Sequence, residues 1–167
     1  MDFFEVVKKR CSVREFEKID IPKEDIIKIL DAGRLAPSGR NVQPREFIVI
    51  DNKEIIEKLG KVQEFISDAS VVIGIIASPE ESKYYLEDIS ASAENMLLAI
   101  TACGYASCWV EGTLLRNEDW VKKLLNIPEE KRIMIMLPIG KAKTQQTHSK
   151  KELSEIVYHN QYGKKYL

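Results

Sequence analysis

Arg10, Ser12 and Arg14 stand at alternate positions in Lys9-Arg10-Cys11-Ser12-Val13-Arg14, and in an extended segment their side chains project to one side. Two guanidinium groups flanking a hydroxyl give several charge-assisted hydrogen bonds to a phosphate or another oxyanion. The competing reading is a basic helix end that complements the macrodipole. A second group lies in Ala36-Pro37-Ser38-Gly39-Arg40-Asn41-Val42-Gln43-Pro44. Its two prolines stiffen the loop, so Ser38, Asn41 and Gln43 are aimed at a polar ligand, and Gly39 lets that ligand approach the backbone. Taken alone, the stretch also reads as an ordinary helix-to-strand connection.

The elements that must position these groups follow from apolar spacing. Asp2 and Glu5 form a capping-box pattern for a short helix that ends near Arg10, with Phe3, Phe4, Val6 and Val7 as its apolar face. Pro22 opens a second helix, with Ile26, Ile27, Leu30, Arg34 and Leu35 at helical spacing, and Pro37 stops it. Glu46 to Ile50 reads as a strand and Lys53 to Leu59 as a helix. Val71 to Ala77 is a nearly continuous apolar run and belongs in the middle of a sheet, covered on both faces. Tyr84 to Cys103 is a long helix, apolar on every side toward its end, so its second face is expected at a subunit interface. Cys108 to Val110 reads as a strand, Asn117 to Leu125 as a helix, Ile133 to Ile139 as a buried strand and Lys151 to Val157 as a last helix. The tail from Tyr158 to Leu167 has too little apolar surface to fold alone and is expected to dock, with the other subunit as one place for it.

Composition narrows the function classes. The 167 residues suit one domain spanning 1–167, and 44% hydrophobic with 31% charged residues builds a globular core. Lys plus Arg number 25 against 26 Asp plus Glu, so no global positive field gathers nucleic acid or anionic membrane. No apolar run reaches the ~20 residues that span a bilayer, and the chain begins with an acidic amphipathic segment instead of a signal peptide, which points to the cytoplasm. Cys11, Cys103 and Cys108 lack metal-ligand spacing, so no metal site is expected; Cys103 and Cys108 read as buried thiols. Cys11 reads as inert, although cations at Arg10 and Arg14 bear on its thiol. His148 and His159 read as surface residues, and Trp109 and Trp120 as core or interface anchors.

Arg10-x-Ser12-x-Arg14, Pro37-Ser38-Gly39-x-Asn41-x-Gln43-Pro44, Asn95 in a long helix, Glu111-Gly112 after a strand and Pro138-Ile139-Gly140 after the last core strand resemble, in order and spacing over essentially the whole chain, the nitroreductase-type flavoproteins. The resemblance implies an α+β fold, a central, mainly antiparallel sheet wrapped by helices, in an intertwined homodimer with FMN at the subunit interface. It implies that Arg10 and Ser12 hold the phosphate and ribityl chain and that Arg14 reaches the flavin N1 and O2 edge. Pro37, Ser38, Gly39 and Asn41 come from the partner subunit to cover the ring, and Gln43 orders that loop. Glu111 and Gly112 offer backbone amides to N5 and O4, Pro138, Ile139 and Gly140 pass close to the cofactor, and one of Lys141, Lys150 and Lys151 completes the phosphate site. Arg45 stands where many members carry tryptophan, and the long helical insertion over the pocket of larger relatives is missing, so acceptor choice is open.

The implied activity is hydride transfer from NADH or NADPH through flavin N5 to a nitroaromatic, a quinone or another electron-poor acceptor, with donor and acceptor binding in turn. A fixed cation at N1 and O2 stabilises the negative charge that reduction places there. The alternative is a flavin carrier or redox-responsive flavin-binding module without useful turnover. A third reading, resting only on the arginine pair and the loop, is a phosphate-ligand domain without flavin.

Overall fold

The computed structural model describes residues 1–144 and 146–167. In chain order its elements are α1 (Phe3–Lys9), β1 (Phe16–Glu17), α2 (Lys23–Arg34), a 3-10 turn (Gly39–Asn41), β2 (Arg45–Ile50), α3 (Lys53–Leu59), a second 3-10 turn (Glu64–Asp68), β3 (Val71–Ala77), α4 (Tyr85–Ala102), β4 (Ala106–Ser107), α5 (Gly112–Arg116), α6 (Glu118–Leu125), β5 (Arg132–Ala142) and α7 (Leu153–Ile156).

All seven residues of β3 are buried, because the strand pairs on both edges and is covered on both faces. The sheet runs β1-β5-β3-β2 with β4 also on β5, and every strand pair is antiparallel. Side-chain alternation sends Val72 and Ile76 into one core with Ile56, Leu59, Leu114, Val121 and Met136. Ile73 and Ile75 go into the other, with Ile26, Ile29, Ile89, Met96, Ile100 and Leu137. A register shift between Ile75 and Ile76 leaves Met134 as an extra residue on β5, which bulges there. Each such aliphatic side chain contributes about 1.5–3 kcal/mol on burial, so the two faces of β3 anchor both layers of helices.

Several expectations meet the structure directly. Asp2 caps α1 by accepting the amides of Phe4 and Glu5 at 2.8 and 3.3 Å, α3 has the expected bounds, and the all-apolar run is the central strand. Others need correction. The helix α2 buries Ile26, Ile29 and Gly33, while Ile27 and Leu35 are exposed, because Gly33 lets α4 come close enough for Met96 to fill the space a Cβ would take. No strand spans Cys108 to Val110: the chain joins β5 earlier, at Ala106–Ser107, and returns only through a single bridge from Val110 to Met136. The expected helix Asn117 to Leu125 is preceded by α5, with Asn117 as the joint. The last helix shrinks to one turn, Leu153–Ile156, which carries no buried residue.

On α1 only Val6 is buried; Phe3 and Phe4 are 65% and 72% exposed. In the tail, Tyr162, Tyr166 and Leu167 are exposed as well. The segment folds back through a bridge from Tyr158 to Lys165 and onto the last helix, with the Tyr166 amide donating to the Val157 carbonyl at 3.3 Å and Lys165 Nζ to the Ser154 carbonyl at 2.6 Å.

Candidate active site

Once α1 ends, with the Arg10 amide donating to the Val6 carbonyl at 2.9 Å, the chain runs extended alongside β4. Ser12 bridges Ser107 in parallel, and the Val13 amide donates to the Ser107 carbonyl at 2.9 Å. Ser107 in turn pairs with Ile139 of β5. Three separated pieces of sequence thereby lie side by side: the Arg10-Ser12-Arg14 segment, the chain leading into Glu111-Gly112, and Pro138-Ile139-Gly140. Arg14 is exposed. Burial pushes the Cys108 thiol up, and the Arg14 charge and a hydrogen bond from Ser12 oppose that push, so Cys108 lies under the same segment as a weak thiol. Cys103, expected as a buried thiol, is only half-buried because it caps the end of α4, and that partial burial raises its thiol.

Arg10 is half-buried and its Nε lies 3.7 Å from Glu94 on α4. It lines a cavity of about 940 Å³ together with Lys8, Lys9, Tyr105, His148 and Lys150. The structure therefore separates the three C-terminal lysines. Lys150 faces the cavity of Arg10, Lys141 is engaged with Glu17 at 3.2 Å on the outer edge of the sheet, and Lys151 is exposed and does not line this cavity. His148, read from sequence as a plain surface residue, lines the cavity beside Lys150.

Glu111 sits between the Met136-paired Val110 and the first turn of α5. Its carbonyl accepts the Leu115 amide at 2.9 Å, and its carboxylate accepts the Trp109 indole N–H at 2.9 Å. First-turn amides have no acceptor within their own helix, and beyond Gly112 the space that a Cβ would enter is open. Gly112 therefore presents unobstructed backbone to whatever lies above α5.

The loop that follows α2 stands apart from this cluster. Arg40, Asn41 and Gln43 have φ of 54°, 58° and 60°, a conformation that L-residues adopt only when their surroundings hold it. Gln43 is part of what holds it: its amide donates to Ser38 Oγ at 3.0 Å and its Nε2 to the Asn41 carbonyl at 3.3 Å. At Gly39 the sequence reading needs revision. A Cβ there would lie 2.7 Å from Cδ2 of Tyr84, so the close approach is made by the Tyr84 ring. At Gly140 the same holds for Phe16, whose Cβ would lie 3.0 Å from an added Cβ. Pro138 and Ile139 are buried in β5 opposite Val72 and Val71.

The sequence marked Arg45 only as a departure from the family pattern and did not reveal the Trp109–Glu111 pair, and Asp88, which with its acidic neighbours reads as a solvated helix start, is buried. The signal for Asp88 was an acid on the face of α4 that carries Ile89, Ser92 and Met96, all buried.

Among the described residues, the buried side-chain polar atoms without a partner are Arg45 Nη1, Ser107 Oγ and Thr113 Oγ1. Ser107 lies beside Ser12, Thr113 follows Gly112, and Arg45 adjoins the 36–44 loop. Of the site residues, Arg10 and Lys150 bring two cations to one cavity, a donor set that fits a phosphorylated ligand.

The sequence profile of the family described as Nitroreductase family matches residues 7–64 and 60–141. The chain is 37% identical over 140 residues to a protein of Archaeoglobus fulgidus provisionally named NADH dehydrogenase/NAD(P)H nitroreductase, an alignment covering 78% of this chain and 80% of that one. It is 26% identical over 165 residues to an iodotyrosine deiodinase of Thermotoga neapolitana, covering 82% and 87% of the two chains. Its fold superimposes with a TM-score of 0.86 on an FMN-dependent nitroreductase of Clostridium difficile, 27% identical, covering 95% of this chain and 99% of that one. By profile, sequence and fold, this chain belongs to the nitroreductase family.

Proposed function

We propose that the chain is an FMN-dependent oxidoreductase that takes hydride from NADH or NADPH and delivers it to a nitroaromatic, a quinone or another electron-poor acceptor. The observation that carries this reading is the alignment of Arg10-Ser12-Arg14, Glu111-Gly112 and Pro138-Ile139-Gly140 along β4 and β5, with Lys150 on the cavity of Arg10. The relatives' names, NAD(P)H nitroreductase and FMN-dependent nitroreductase, agree with it.

When bound, FMN supplies hydride acceptance and return at N5. In this reading Arg10, Ser12 and Lys150 hold the phosphate and ribityl chain, and Arg14 places a fixed cation at the N1 and O2 edge. The amides of Glu111 and Gly112 orient N5 and O4, and the Trp109 indole fixes Glu111. The chain folds as one domain over 1–167. Pro37, Ser38, Gly39 and Asn41 cover the ring from a partner subunit, since the cavity of Arg10 is lined by none of them within one chain. The exposed Phe3, Phe4 and Leu167 give such a homodimer apolar surface to bury. Donor and acceptor occupy the same place in turn, in a cytoplasmic enzyme.

The test is the visible spectrum of the purified protein, before and after adding FMN and removing the excess, followed by NADH or NADPH without oxygen. Flavin that is retained and bleaches supports the enzyme. Flavin that is retained but is reduced by neither donor favours a carrier or redox-responsive module, and a protein that retains none overturns the cofactor assignment.

A further inference from the structure

Asp88 is 4% exposed, carries a carboxylate and lies outside the cluster around Arg10. Its Oδ1 accepts the Gly39 amide at 2.8 Å, and its Oδ2 is 3.4 Å from the Ser82 hydroxyl. Arg45, on the other side of the loop, donates through Nη2 to the carbonyls of Arg34 and Ala36, at 2.8 and 2.5 Å. These are the last carbonyls of α2 and its exit, which no helical amide reaches. Two neighbouring carbonyls are tied to α4, Ala32 by Asn95 Nδ2 at 3.0 Å and Gly33 by Ser92 Oγ at 2.9 Å. The chain from Ala32 to Gly39 is thus held by side-chain groups from α4 and β2. Directly after it come Arg40, Asn41 and Gln43 in left-handed conformation.

A buried carboxylate that accepts a loop amide beside the Ser82 hydroxyl, and a half-buried guanidinium that spends its Nη2 on two loop carbonyls, are costly unless the loop's shape matters. Neither group is part of either apolar core. Resting on the FMN reading above, we propose that Asp88 and Arg45 are positioning residues that preset the 36–43 loop for the flavin, one by fixing the Gly39 amide and the other by fixing the Arg34 and Ala36 carbonyls.

The experiment compares the parent with Asp88→Ala, Asp88→Asn and Arg45→Lys by FMN titration, by the visible circular dichroism of bound flavin and by the Tm of the flavin-free protein. Asn keeps a side-chain oxygen for the Gly39 amide; Ala does not, and Lys lacks the fork that spans two carbonyls. Expected are a rise of ten-fold or more in the FMN Kd and a changed flavin dichroism for Asp88→Ala and Arg45→Lys, with Asp88→Asn within about three-fold of the parent. Parental Kd and dichroism in Asp88→Ala overturn the proposal, as does Asp88→Asn binding as weakly as Asp88→Ala. If Asp88→Ala does not fold, Arg45→Lys decides alone: a ten-fold loss supports the clamp and parental affinity overturns it. A parent that itself retains no FMN overturns the cofactor reading and this proposal with it, an outcome distinct from a parent and variants that bind alike.

Discussion

The Trp109 indole N–H donates to the Glu111 carboxylate at 2.9 Å, two residues apart across the turn that leads from the Val110 bridge into α5. The pair locks the backbone direction of Glu111 from its own side chain. Trp109→Phe keeps most of the ring's packing and removes only the donor. It is expected to cost about 1 kcal/mol of stability and to slow anaerobic flavin reduction by NADH or NADPH several-fold. An unchanged rate in stopped-flow reduction would show that the Glu111 amide needs no such support.

Arg14 is exposed and makes no ion pair within hydrogen-bonding reach of an acid among the described residues. Its charge is free to act on a ligand. Arg14→Ala is expected to leave the Tm within a degree or two and to shift the midpoint potential of bound flavin to more negative values, with Arg14→Lys falling between. A redox titration in which Arg14→Ala matches the parent, with FMN still bound, removes Arg14 from the mechanism.

The cavity position of Lys150 and the Glu17 pairing of Lys141 predict unequal effects. Lys150→Ala is expected to weaken FMN binding by roughly ten-fold, the scale of one charge-assisted hydrogen bond at about 1.5 kcal/mol. Lys141→Ala should stay near the parent, since an exposed pair contributes about 0–1 kcal/mol. Titration with FMN beside riboflavin checks the cause: the loss should be confined to the phosphorylated form.

Tyr105 donates its hydroxyl to Asp25 at 2.7 Å, and this bond, with burial as the lesser cause, pushes the phenol up to about 12. The Lys28 ammonium, and then the Tyr105 hydroxyl, hold the Asp25 carboxyl below its ordinary range. The folded chain binds the phenolic proton more tightly than the unfolded one, so this contribution to stability is complete below the ordinary tyrosine value near ~10. It is lost as pH rises toward about 12. Urea midpoints measured from pH 9 upward should fall more steeply for the parent than for Tyr105→Phe. Parallel curves for the two would mean that the bond does not persist in solution.

By itself the sequence determined the elements whose pattern has one physical solution. Seven apolar residues in succession, Val71 to Ala77, have no polar position to offer solvent, so they form a strand buried on both faces. Asp2 ahead of an apolar turn is a cap, and Pro37 ends the segment that carries α2. The order of the Arg10-Ser12-Arg14, Pro37-to-Pro44, Glu111-Gly112 and Pro138-to-Gly140 motifs pointed to the family that the profile match bears out. Tertiary structure decided what depends on contacts between distant residues. Gly33 and Met96 chose which face of α2 is buried, and β5 drew in Ala106–Ser107 instead of Cys108 to Val110. Lys141, Lys150 and Lys151 are chemically alike along the chain, and only the path of the chain beyond β5 gave Lys150 the cavity of Arg10. Asp88 and Gly39 are 49 residues apart, a separation at which neither periodicity nor turn chemistry carries information, because the bond exists only once α4 has packed against α2.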